Sequence, residues 1–157
     1  MSGITTCLWF DDQGEEAAAF YVSLFPGSSI RAVSRYGPEN PDREGQVMTV
    51  DFVLDGTAFT ALNGGPQFPH TEAISFQIDC ADAAEVDRYW DSFVQGGGEE
   101  SMCGWCKDRW GVSWQVIPRV LPELLSDPDP ARAQRAMQAM LSMRKLDVDA
   151  LLAAANG

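Results

Sequence analysis

Cationic side chains are scarce in this chain. Eleven lysines and arginines stand against 23 aspartates and glutamates, for a formal net charge of -12, and only two of the eleven, Lys107 and Lys145, are lysines. A surface of that sign repels phosphate backbones, which excludes nucleic acid as an expected partner. No apolar run approaches the roughly 20 residues that span a bilayer, so no membrane partner is expected. The opening MSGITTCLWFDD has no basic stretch ahead of its apolar residues, so the expected localisation is cytoplasmic and the four cysteines are expected to be reduced thiols. There is one histidine, His70, which leaves little imidazole for a metal site. What the chain does have is length: 157 residues suffice for one domain that buries roughly 70% of its unfolded surface without disulfides.

The most informative pattern is an internal repeat. Asp12-Gln-Gly-Glu15 reads as a capping box, and it recurs 70 residues later as Asp82-Ala-Ala-Glu85. At the same offset Phe20 falls on Trp90, Leu24 on Val94, Gly27 on Gly97, Ile4 on Ile74 and Leu8 on Ile78. Each unit therefore reads as a strand and a helix that stops at glycine. Strand-like runs follow: Ile30 to Tyr36, Val47 to Leu54 and Thr57 to Leu62 in the first unit, Glu99 to Lys107 and Val112 to Ile117 in the second. Asp55-Gly56 between two alternating runs is a two-residue hairpin signal, with Asp108-Arg-Trp-Gly111 as its counterpart. The expected class is α+β: two βαβββ repeats forming a cupped, barrel-like mixed sheet, plus C-terminal helices. The expected boundaries are a first unit at 1–65, a linker at 63–72, a second unit at 73–118 and a helical extension at 119–157, all in one domain. In the extension, Asp129-Pro130 opens a helix to about Met143 with Ala133, Ala136, Met137, Met140 and Leu141 on its apolar stripe, and Asp147 opens a last one. That stripe suits packing on the domain or on a partner subunit, or an adaptable binding surface.

Cys103-Gly-Trp-Cys106 has a spacing shared by disulfide oxidoreductases and zinc sites. Redox pairs place the first thiol at a helix N-terminus, whereas a turn and a strand-like run follow here. If Met102 to Lys107 is extended, the two Cα atoms lie roughly 10 Å apart, beyond the ~7 Å a disulfide tolerates. A bulge at Gly104 is the alternative that would bring the thiols together. A structural zinc site needs four ligands, and there is no second Cys-x-x-Cys.

The strand alternation also marks where a ligand could sit. In the first strand Ile4, Leu8 and Phe10 suit the helix-covered face, which leaves Thr5, Cys7 and Trp9 on the other. The second unit repeats this with Ile74, Phe76 and Ile78 against Ser75, Gln77 and Asp79. Aligning Gly56 with Gly111 pairs Phe59 with Trp114 and Thr60 with Gln115. The candidate ligand-binding residues are Thr5, Cys7, Trp9, Thr60, Ser75, Gln77, Trp105 and Gln115, with Ser113 beside them. Such polar groups either satisfy one another or await a ligand.

The segments CLWFDDQGEEAAAFYVSLFPGS, FTALNGGPQF, EAISFQIDC, GGGEESMCGWCKDRWGVSWQVIP and RAMQAMLSMRKLDVDALLAAANG resemble the PhnB-like branch of the vicinal oxygen chelate superfamily, the relatives of glyoxalase, bleomycin-resistance proteins and dioxygenases. Similar members often carry the label 3-demethylubiquinone-9 3-methyltransferase. A glycine-rich strand-to-helix turn of the kind that binds nucleotides is missing here, since Gly64-Gly65 follows a strand and Gly96-Gly97-Gly98 a helix. The resemblance implies a cup whose enzymes hold a divalent metal through His, Gln or Glu. The matching positions fall near Thr5, Thr60, Ala73 or Ser75, and Gln115, and Gln115 alone is a customary ligand type. No cofactor is therefore expected, with a weak divalent ion or a site rearranged around His70 and Glu72 as the alternative. The resemblance further implies a homodimer. The expected function is binding of a small organic molecule in the cup without a standard metal site; the alternative is a metal-dependent lyase, isomerase or dioxygenase.

Overall fold

A computed structural model describes residues 3–157. The chain divides after His70 into two compact units, 3–70 and 71–157. In the first, strand β1 (Thr6–Phe10) and helix α1 (Gly14–Leu24) are followed by β2 (Ser29–Arg35), β3 (Val47–Leu54) and β4 (Thr57–Asn63). The strands form one mixed sheet in the order β1-β4-β3-β2, with β1 parallel to β4 and the other pairs antiparallel. The second unit repeats the plan with β5 (Ser75–Cys80), α2 (Ala83–Gln95), β6 (Glu99–Glu100), β7 (Trp105–Lys107) and β8 (Ser113–Pro118). Its sheet has the order β5-β8-β7-β6 and the same directions. The 70-residue repeat is visible in the pairing: Cys7 lies opposite Thr60 on β4, and Gln77, its repeat mate, lies opposite Gln115 on β8. Three helices close the chain: α3 (Val120–Leu125), α4 (Pro130–Leu141) and α5 (Val148–Asn156). The α+β class with two βαβββ repeats and C-terminal helices is thus as expected.

The turns follow from their residues. Asp55 and Gly56 both have positive φ, 45° and 83°, as a two-residue hairpin of matched twist requires. Asp82 caps α2 by accepting from the Glu85 N–H, and Glu85 reaches back to accept from the Ala81 N–H, so the second capping box forms. The first does not. Helix α1 begins at Gly14, and the Gly14 N–H donates to Asn63 Oδ1 at 2.7 Å, Asn63 being buried at the end of β4. A cap supplied 49 residues away displaces Asp12 from that role, because any acceptor in reach of the free N–H satisfies it.

Three further expectations need correction. Ile4 and Ile74 are 98% and 70% exposed, because the strands begin only at Thr6 and Ser75; neither covers a helix. The run Glu99 to Lys107 is not one strand: it breaks at a turn where Cys103 has φ 59° and Gly104 φ 83°. Cys103 therefore sits in the turn while Cys106 is buried on β7. The α4 stripe divides, with Ala136 in the C-terminal core and Met140 packed on it, whereas Met137 and Leu141 are 40% and 57% exposed.

Two cores hold the sheets to their helices. Under α1, Ala17, Ala18 and Tyr21 meet Val50, Phe52, Phe59 and Ala61, with Phe52 stacked on Phe59. Under α2, Val86, Tyr89, Trp90 and Phe93 meet Cys106, Trp114 and Val116, with Phe93 stacked on Trp114 at 4.9 Å. A third cluster, Leu121, Leu124, Ala136, Leu146, Leu151 and Ala155, joins α3, α4 and α5. No helix among the described residues is long and apolar enough to cross a membrane.

Candidate functional site

In each unit one sheet face is covered by the helix of its own repeat, and the residues singled out from the sequence alternate onto the other face. On β5 and β8 these are Ser75, Gln77, Asp79, Ser113 and Gln115, with Ile117 opposite Asp79. On β7 Trp105 pairs with Gln115. Gln77 Nε2 donates to Gln115 Oε1 at 3.2 Å, and Gln115 Nε2 donates to Ser75 Oγ at 2.8 Å. The three polar side chains thus form one directed row across two strands. Ser113, next along β8, is 1% exposed and its Oγ has no partner among the described residues.

The row floors a pocket of about 570 Å³. Gln77, Gln115, Trp105 and Ile117 come from the sheet and Cys103 from the turn, while Leu121, Pro122 and Leu125 of α3 and Met140 of α4 form the facing wall. Asp79 lies at its edge, where Arg119 Nε donates to Asp79 Oδ2 at 2.9 Å. Three of the eight predicted residues, Gln77, Trp105 and Gln115, line this pocket, and Ser75 supports it through Gln115. Of the wall, sequence reasoning singled out only Met140, on the α4 stripe; it missed α3, which is short and whose Pro122 at the third position hid the Leu121, Leu124, Leu125 periodicity.

The first unit is arranged differently. Cys7, Thr60 and Asp51 lie side by side on β1, β4 and β3, and Thr60 Oγ1 donates to Asp51 Oδ1 at 2.7 Å. Cys7 is exposed, and its thiol is raised above its ordinary value by partial desolvation and by the Asp51 carboxylate. Asp51 was not singled out from the sequence, although the alternation in VMTVDFVL places it on this face. Thr5 precedes β1 and is exposed. Trp9 packs edge-on against Phe68 at 4.9 Å, donates from Nε1 to the Gly65 carbonyl at 2.8 Å and lies against Gly64, where a Cβ would come within 2.2 Å of its ring. Trp9 is therefore engaged by the loop after β4. A larger hollow of about 770 Å³ at the start of α1 is lined by Asp11, Asp12, Glu15, Glu16 and Arg43. It contains none of the predicted residues, and its Arg43 already donates to the Asn63 carbonyl.

A divalent ion does not fit the donors at the positions the superfamily uses. Thr60 is bonded to Asp51, and Gln115 has both amide atoms engaged by Gln77 and Ser75; neither supplies the anionic or imidazole donors such ions need. Among the described residues no three His, Cys, Asp or Glu side chains converge in a way that could hold a metal. His70 packs edge-on against Phe10, and Glu72 pairs with Lys107, which pulls the Glu72 carboxyl below its usual range.

Comparison with known proteins settles the family. The family model for 3-demethylubiquinone-9 3-methyltransferase matches residues 2–117. The chain belongs to that family. A PhnB protein from Bacillus cereus that bears the same methyltransferase name is 34% identical, with a TM-score of 0.68 over 74% of this chain and 99% of that one. A protein from Pseudomonas aeruginosa is similar in fold, at 24% identity and TM-score 0.63 over 75% and 98%. So is a mutant of the fosfomycin resistance protein FosX from Listeria monocytogenes, complexed with Mn(II) and 1S,2S-dihydroxypropylphosphonic acid, at 20% identity and TM-score 0.51 over 73% and 90%. No curated protein matches. The expected PhnB-like placement therefore holds, and the family match ends at residue 117, before α3 begins.

Proposed function

We propose that this PhnB-like protein binds a small organic molecule on the polar face of its second sheet and that it does so without a standard metal site. The observation that carries this reading is the pocket itself: Gln77 and Gln115 give it an amide floor, Trp105 a flat aromatic surface, and α3 and α4 an apolar wall. An apolar cavity with a few fixed polar groups is the usual form of a small-molecule site. None of its lining groups is a strong general base, and the carboxylate at its edge is tied to Arg119, so binding is favoured over proton-transfer chemistry. The methyltransferase name has no counterpart in a glycine-rich strand-to-helix turn, since Gly64 follows β4 and Gly96 follows α2. Native mass spectrometry of freshly purified protein tests the reading directly. A retained organic mass without a divalent ion supports it, and a stoichiometric metal ion replaces it with the metal-dependent lyase, isomerase or dioxygenase alternative. The same spectrum reads subunit count. We further propose a homodimer, on the strength of Met137 and Leu141 exposed side by side on α4, and a monomeric mass at micromolar concentration overturns it.

A further inference from the structure

We infer that the C-terminal helices turn this face into a walled site for an uncharged, ring-bearing molecule with one polar group, which pairs with the open amide atoms of Gln77. The inference rests on the reading that the Gln77 and Gln115 amides anchor the ligand, and it goes beyond that reading in naming the wall, the ligand's charge and the amide it pairs with.

The wall lies beyond the segment matched by the family model. The residues that match the family end at 117, yet Leu121, Pro122, Leu125 and Met140, which oppose the amides, all come afterwards. The wall is also preformed. Asp129 and Asp147 cap α4 and α5 by accepting from Ala131 and Ala150 N–H groups. The cluster of Leu121, Leu124, Leu146 and Leu151 ties the three helices together. The turn below the pocket is bonded to the same extension, since the Cys103 and Gly104 N–H groups donate to the Met143 and Arg144 carbonyls at 2.7 and 2.8 Å. A cavity of about 570 Å³ accommodates a molecule of two or three rings, within the usual range for small ligands.

Charge decides the class further. The pocket's lining includes no lysine, arginine or histidine, so an anionic ligand would shed its water with no counter-charge to replace it. A cation would have to displace Arg119 from Asp79. An uncharged ligand meets neither cost. Hydrogen-bond inventory then shows which polar atoms are open. Both Gln115 amide atoms are engaged, and Gln77 Nε2 is engaged through one N–H, but Gln77 Oε1 accepts nothing among the described residues. An amide oxygen has two lone pairs and an amide nitrogen two N–H donors, so Gln77 leaves Oε1 and one Nε2 N–H open, and the ligand that suits this floor carries a polar group that donates to the first or accepts from the second.

N-Phenyl-1-naphthylamine is a suitable probe: it is neutral, has three aromatic rings and one N–H, and brightens on leaving water. Its sulfonated counterpart, 8-anilinonaphthalene-1-sulfonate, keeps the rings and adds a negative charge. Titrated into the full chain, the neutral probe is expected to bind saturably and the sulfonate at least about tenfold more weakly. Equal or tighter binding of the sulfonate overturns the charge assignment, and no saturable binding of the neutral probe overturns the site. Gln77→Ala and Met140→Gln are each expected to weaken the neutral probe about fivefold or more. A folded Met140→Gln protein with unchanged affinity removes the wall even if Gln115→Ala loses binding, which leaves the amide reading standing. Loss in Met140→Gln with none in Gln115→Ala removes the amide reading and keeps the wall. Methyl spectra of the unmutated chain labelled at methionine need no substitution: the probe should move the Met140 methyl signal and leave that of Met137 in place. A stationary Met140 signal with probe bound overturns the inference.

Discussion

The two βαβββ units share strand order, strand direction and register, and they differ in what stands over the sheet face opposite the helix. In the first unit that face is a short polar row, Cys7, Thr60 and Asp51, and no helix among the unit's described residues covers it. In the second the corresponding row is Gln77, Gln115 and Trp105, and α3 and α4 stand over it. The lesson is that a repeated scaffold fixes positions, whereas the side chains at those positions and what packs above them decide whether a face becomes a site. Thr60 and Gln115 occupy matching places on β4 and β8, yet Thr60 is bonded to an exposed carboxylate and Gln115 floors a cavity.

The strongest way to break the second unit alone is at Gly98, where its chain leaves α2. A Cβ there would lie 2.0 Å from the Lys107 carbonyl and 2.6 Å from that of Phe93, both backbone atoms that cannot swing away. Gly98→Ala should cost more than about 4 kcal/mol, the range of the most damaging single substitutions. Its repeat mate in the first unit is Ser28, whose hydroxyl accepts from the Asp55 N–H. Ser28→Ala should cost under about 1 kcal/mol. Denaturant unfolding of the two variants measures the asymmetry.

Alkaline titration sharpens the same contrast. Cys80 and Cys106, buried in the second unit, have thiols pushed up to about 12, chiefly by burial. Because the folded values exceed the unfolded ones, the stability these protonated thiols contribute is fully present below about pH 9 and is lost as the pH rises toward about 12. With a tenfold population ratio per unit, the loss is at most on the order of 4 kcal/mol for Cys106, and less for Cys80, whose thiol is more strongly screened by solvent. Cys106→Ala should therefore lose less stability than the unmodified protein between those pH values in urea melts. At pH 8 a thiol reagent should modify neither Cys80 nor Cys106 until the chain unfolds. Next in size is Leu146→Ala, which empties the centre of the C-terminal cluster and should cost about 3 kcal/mol. Hydrogen exchange would show the loss in α3 to α5, with α1 and its sheet unaffected.

Much of this architecture is legible in the sequence because it depends on local pattern. The repeat offset, the Asp55-Gly56 turn, the Asp82 cap and the Asp129-Pro130 helix start are each set by residues within a few positions of one another. The misreadings come from long-range partners. Asn63 caps α1 from the far end of β4, which a search for Asp12 and Glu15 cannot find. Ile4 and Ile74 continue an apolar alternation beyond the point where β1 and β5 find a partner strand. Cys103 and Gly104 leave the strand because their N–H groups bond to carbonyls after α4, in a segment 40 residues downstream. For the candidate site, the alternation of Ser75, Gln77 and Gln115 identified the floor, and Asp51 was equally visible on its own strand. The wall was not, since Leu121, Pro122 and Leu125 become pocket residues only through the fold of α3 and α4 onto one sheet.

The account's central claim is that Gln115, and not its repeat mate Thr60, is at the binding site. Isothermal calorimetry with N-phenyl-1-naphthylamine on the Gln115→Ala and Thr60→Ala proteins tests it most directly. Both substitutions leave the backbone ladders in place. The account predicts that Gln115→Ala weakens binding by about 1 to 3 kcal/mol, while Thr60→Ala leaves the affinity unchanged. Unchanged affinity in Gln115→Ala, or an equal loss in both variants, would contradict it.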